Sequence, residues 1–115
     1  QKSDNPFMGF ITSEDVNKKK PDPEAYLKAI KLSSVSPENI LVIEDSIAGY
    51  KSATNAGLKC MITRSSWSEN GLMNFNEALI VSDNLGEPNL KCNIFKPLNS
   101  NSKYIDIELI NIYFP

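Results

Sequence analysis

Two short stretches hold the residues best suited to chemistry. Lys18-Lys19-Lys20-Pro21-Asp22-Pro23 offers a cation directly before a proline-braced turn, and Ile40-Leu41-Val42-Ile43-Glu44-Asp45-Ser46 is an apolar run that stops at two carboxylates and a hydroxyl. A carboxylate at the end of a buried strand can hold a hard cation such as Mg²⁺, which prefers oxygen ligands. Ser46 would begin the next helix, whose first backbone N–H groups favour an anion such as phosphate. A lysine facing the same crevice could pair with a phosphoryl oxygen or restrain a carboxylate nucleophile. Carboxylate, magnesium, lysine and phosphate together describe phosphoryl transfer. Each piece alone also has a plainer reading. An acidic pair after a strand complements the dipole of the following helix, and a short lysine run is commonly a solvated surface.

The elements that must position these groups follow from periodicity. From Glu24, apolar Ala25, Tyr26, Ala29, Ile30 and Leu32 recur at helical spacing up to Ser33-Ser34. Ser36-Pro37-Glu38-Asn39 reads as a turn. Ile40–Ile43 is continuously apolar, as suits a strand buried on both faces of a parallel sheet. Ile47, Ala48, Tyr50, Ala53 and Ala56 again have helical spacing, with Ser46 as N-cap and Gly57 as the closing residue. Lys59–Thr63 is the next strand. Helix, strand, helix, strand with short connections predicts an α/β fold with parallel strands. Phe7–Thr12 is expected to be a strand, Leu72–Ala78 a weak helix, Leu79–Val81 a short strand and Ser82–Asn89 a loop. Residues 99–102 read as a linker, and Tyr104–Phe114 fits a helix or a strand equally. The expected division is residues 1–90 as part of a core domain and 91–115 as a C-terminal extension.

Composition narrows the chemistry. The 115 residues carry a net charge of −2, which argues against phosphate-driven nucleic-acid binding. There is no histidine, so His-based triads and most zinc sites are excluded, and acid–base or metal chemistry must come from Asp, Glu and Lys. Of the two cysteines, Cys60 lies in an apolar run and reads as core. No run approaches the roughly 18 apolar residues of a membrane span. Tyr50 and Trp67 read as packing residues. Arg64, Ser65 and Ser66 follow a strand and are candidates for touching substrate.

Lys20-Pro21-Asp22-Pro23, Glu44-Asp45-Ser46, Ala48-Gly49 and Ala56-Gly57, in this order and on these elements, resemble the haloacid dehalogenase-like hydrolases of the CbbY and β-phosphoglucomutase group. The resemblance covers about residues 7–90. It implies a Rossmann-like, three-layer parallel sheet, here incomplete. It gives Lys20 the role of restraining the nucleophile and the transferring phosphoryl group, Asp45 that of Mg²⁺ ligand, Glu44 that of assisting through the metal's water shell, and Ser46 a place beside the phosphate. The implied substrate is a small sugar phosphate, most simply a bisphosphate, with neither nucleic acid nor membrane as partner. The implied compartment is the cytoplasm or the plastid stroma.

The chain departs from that family in one respect that matters. Its nucleophile is an aspartate in a D-x-D-x-T/V motif, and no such motif occurs here; Asp106-Ile107-Glu108 has a similar shape but lies at the wrong end. The family's Ser/Thr motif and helical cap are missing too. The expectation is therefore a C-terminal fragment whose nucleophile-bearing strand lies outside this chain, inactive alone and left with a sticky sheet edge. Rival readings are a sugar-phosphate mutase, a non-catalytic α/β binding module, and a flavodoxin-like regulatory domain.

Overall fold

The computed structural model describes residues 5–64, 75–97 and 100–114. Its element order is α1 (Glu24–Ser33), β1 (Leu41–Glu44), α2 (Ile47–Asn55), β2 (Lys59–Thr63), β3 (Ile80–Ser82), β4 (Ile94–Lys96) and α3 (Ile107–Asn111), with 3₁₀ turns at Ser13–Asp15 and Pro37–Asn39. The strands form one sheet in the order β1-β2-β3-β4. The first three run parallel, with Val42 opposite Cys60 and Met61 opposite Ile80, and β4 returns antiparallel to β3.

Side-chain alternation divides this sheet between two cores, since successive strand residues face opposite ways. On one face Val42, Cys60, Ile62 and Val81 pack with Tyr50 and Ala53 of α2 and with Tyr26 and Ile30 of α1. On the other, Met61 and Ile80 meet Leu109 of α3. Helices therefore cover both faces, the layering expected of an α/β fold. Cys60 is buried, and burial pushes its thiol up to about 12, so it acts as a small apolar core residue.

Local signals explain the element ends. The side chain of Ser46 accepts the Gly49 N–H at 3.0 Å and so caps α2. Gly57, just beyond α2, has φ +80°, where a Cβ would be strained. At the end of α1, Ser34 takes a left-handed conformation and its N–H reaches the Ile30 carbonyl at 3.1 Å.

One sequence expectation changes, and two stretches left open are settled. Phe7–Thr12 is not a strand: no described strand lies beside it, and its backbone runs exposed toward the 3₁₀ turn that Thr12 caps. Ile94–Lys96, unassigned from sequence, is a strand and makes the sheet mixed. Tyr104–Phe114 resolves as a short helix, because Asp106 accepts the Leu109 N–H at 2.8 Å and starts a turn there. Of Leu72–Ala78 only the last four residues are described; they form a turn closed by the Ala78 N–H on the Phe75 carbonyl. Trp67, Ser65 and Ser66 lie outside the described residues.

Candidate active site

Lys20 and Glu44 meet. The Lys20 ammonium lies 2.6 Å from Glu44 Oε1, in the one salt bridge found among the described residues. The lysine side chain is 41% exposed and the glutamate side chain 8%. Several contacts fix the loop that delivers the lysine. The Asp22 carboxylate accepts the Glu24 N–H at 3.0 Å. The carboxylate of Glu24 accepts the backbone N–H groups of Asn17 and Lys18, folding the lysine run back onto the start of α1. The hydroxyl of fully buried Ser52, on α2, donates to the Asp22 carbonyl at 2.6 Å and ties the loop to the body of the fold.

Two residues to which sequence reasoning gave no site role complete this cluster, Tyr26 read as a helix-face residue and Gly49 only as part of a motif. The Tyr26 hydroxyl also donates to Glu44 Oε1, and the Lys20 ammonium sits 5.0 Å from the Tyr26 ring centroid. Burial, and then the hydrogen bond to Glu44, push the Tyr26 hydroxyl well above the usual tyrosine range, so it remains a donor. Gly49 lies on the other side of the carboxylate, where a Cβ would collide with the Glu44 side-chain oxygens. Spacing was the available signal: tyrosine six residues after the lysine, glycine five after the glutamate.

Asp45, the next residue, turns elsewhere. It lines an open cleft of about 680 Å³ together with Thr63, Arg64, Asp83, Asn84 and Glu87. This cleft lies beyond the carboxyl ends of β1, β2 and β3, where open α/β sheets bind ligands. Arg64 is therefore where a substrate contact was expected, its N–H held by the Ser82 carbonyl at 2.9 Å. Asp83 was not foreseen, although it too follows an apolar strand. Its carboxylate accepts the backbone and side-chain N–H groups of Asn93 at 2.9 and 2.8 Å and the side chain of Asn84 at 3.1 Å. Burial raises its pKa, but hydrogen bonds, foremost those from the Asn93 backbone and side chain, outweigh that and hold it below the ordinary carboxylate value. Ser46 is occupied in capping α2.

No described residue donates a hydrogen bond to the Asp45 carboxylate, which leaves its oxygens open to the cleft. The described residues contain no group of three or more His, Cys, Asp or Glu able to cage a metal. Mg²⁺ does not ask for one: it keeps several waters and takes one or two carboxylates plus substrate phosphate. Asp45 fits as one such ligand. Glu44 fits direct ligation less well, since Oε1 already accepts from Lys20 and Tyr26.

Comparison with known proteins bears on the family. The family model of haloacid dehalogenase-like hydrolases matches residues 2–63, a span that contains Lys20, Tyr26, Glu44, Asp45 and Gly49. A haloacid dehalogenase-like hydrolase domain-containing protein of Arabidopsis thaliana is 42% identical over 82 residues, 71% of this chain and 25% of its own length. A phosphorylated carbohydrates phosphatase of Thermotoga maritima is 39% identical over 53 residues, 46% of this chain and 24% of its own. The crystal structure of a CbbY variant from Rhodobacter sphaeroides in complex with xylulose-1,5-bisphosphate superposes with a TM-score of 0.55 at 31% identity, covering 62% of this chain and 31% of that one. The chain thus spans about a quarter of the length of the curated relatives it matches. With the family match extending over more than half of its residues, this chain belongs to the haloacid dehalogenase-like hydrolases.

Proposed function

We propose that this chain is part of a Mg²⁺-dependent phosphatase of CbbY type that acts on a small sugar phosphate, most simply a bisphosphate, through a phospho-aspartate. The aspartate that takes up the phosphoryl group belongs to a part of the whole protein outside these 115 residues. The observation that carries the reading is that one strand end bears both groups: Lys20 is held on Glu44, and the next residue, Asp45, opens into the cleft beyond the sheet. The phosphatase and sugar-bisphosphate relatives support the substrate class.

The residues divide the work. Asp45 would hold the metal, which when bound offsets negative charge on the phosphoryl group. Lys20 carries the positive charge that would restrain the nucleophile and the phosphoryl oxygens. Glu44 anchors Lys20 and would assist the ion only through its water shell. The N-terminus of α2, capped by Ser46, adds backbone dipoles favourable to an anion. The test is phosphate release from a sugar bisphosphate by the whole protein that contains this chain. Release should require Mg²⁺ and should vanish in Asp45→Ala. Turnover that survives this substitution would overturn the metal assignment.

A further inference from the structure

We infer that Tyr26 is a positioning residue for Lys20, acting through the Glu44 carboxylate. The functional meaning of this role rests on the phosphoryl-transfer reading above; the geometry that carries it does not.

An ion pair made by a part-exposed lysine is weakened by solvent on the lysine side. Ordering a lysine side chain costs the rotamer freedom of its long stem, which opposes that attraction. The Lys20–Glu44 pair alone therefore does not hold the ammonium in one place. Tyr26 supplies what is lacking in two ways. Its hydroxyl donates to the same oxygen, Oε1, that Lys20 uses, so Oε1 is held where the ammonium must arrive. Its ring lies beneath the ammonium at 5.0 Å, within the range of a cation–π contact. The ring is itself fixed, since Tyr26 packs against the core cluster of Val42, Tyr50 and Cys60. Gly49, without a Cβ, leaves the space on the α2 side that the Glu44 carboxylate occupies. Lysine and tyrosine thus arrive on one short unit, the Lys20 turn and the first turn of α1, and share one acceptor atom.

The test reads Lys20 directly in the whole protein that contains this chain. In ¹⁵N NMR an ordered, hydrogen-bonded ammonium exchanges slowly enough to give a cross-peak. Lys59 is the internal control: its ammonium donates to the carbonyls of Glu38 and Tyr113, in contacts that do not involve Tyr26. Tyr26→Phe keeps the ring and removes the hydroxyl. The expected result is loss of the Lys20 cross-peak with the Lys59 cross-peak retained. A Lys20 cross-peak of unchanged intensity in Tyr26→Phe overturns the inference. Should the variant lose both signals through unfolding, the unsubstituted protein decides: a slowly exchanging Tyr26 hydroxyl proton with a cross-relaxation peak to the Lys20 ε-methylene supports the role, and its absence overturns it. The functional reading fails by a different observation. If Asp45→Asn leaves Mn²⁺ binding to that protein unchanged, the phosphoryl-transfer reading falls while the Lys20 result stands on its own measurement.

Discussion

Gly49 shows how a single hydrogen atom shapes this site. In a helix, alanine is ordinarily better than glycine by about 1 kcal/mol. Here the added methyl would run into a carboxylate that Lys20 and Tyr26 already hold, and overpacking of that kind costs about 1–3 kcal/mol. The collision outweighs the propensity gain, so Gly49→Ala is expected to lower stability by about 1 kcal/mol and to release Lys20 from Glu44. A thermal midpoint that rises instead would show that Glu44 does not pass this close to α2. Asp83 has a different signature. Its hydrogen bonds from Asn93 and Asn84 favour the ionised form and lower its pKa. The folded chain therefore binds fewer protons there than the unfolded chain. This contribution is complete above the unfolded carboxylate value of about 4 and is lost as pH falls through the lowered folded value. Denaturant midpoints measured from neutral pH downward should fall less steeply in Asp83→Asn than in the parent chain; parallel curves would exclude the role.

Elements differ in how much of them a sequence displays. The spans α1, β1, α2 and β2 are legible because their determinants are local: helical periodicity, a Ser46 cap, a glycine at a positive-φ stop and a β-branched run. Strands that exist only through their partners are not. Phe7–Thr12 has the composition of a strand and no described neighbour to pair with, while Ile94–Lys96 gains its identity from β3. Helix α3 is too short, at five residues, for period to distinguish it from a strand. The same division runs through the site. Lys20, Glu44 and Asp45 stand out as charges at element ends, whereas the Tyr26 hydroxyl and the Gly49 void matter only once α1 and α2 lie against β1. Ser52 belongs with them: read from sequence it is one more polar helix residue, yet it is fully buried and fastens the Lys20 loop to α2. Ser52→Ala leaves the Asp22 carbonyl without that donor and should cost about 1–3 kcal/mol. Amide exchange should show the loss at the Asp22 N–H, which now bonds to the Lys19 carbonyl at 3.0 Å. Unchanged protection there would mean that the loop holds itself.

At the scale of the molecule, the two sheet edges are unlike. The β4 edge ends in Lys96-Pro97, a charge and a residue without an N–H donor, both of which discourage further pairing. The β1 edge has neither, and Ile43 on it is 51% exposed. A parallel strand of this apolar character is normally buried on both faces and paired on both sides. The isolated chain is therefore expected to self-associate, and Ile43→Lys should shift it toward monomer in sedimentation velocity; a parent chain that stays monomeric at high concentration would refute this. Among the described residues no helix is long and apolar enough to cross a membrane. On the proposed reading Asp45 is the metal-binding carboxylate of a phosphoryl-transfer site, and Mn²⁺ titration of the ¹⁵N-labelled chain decides whether it is. Paramagnetic broadening should centre on the amides of Asp45 and Ser46 and disappear in Asp45→Asn. Broadening that persists in Asp45→Asn, or that centres on Asp83 and Glu87 instead, would contradict the account.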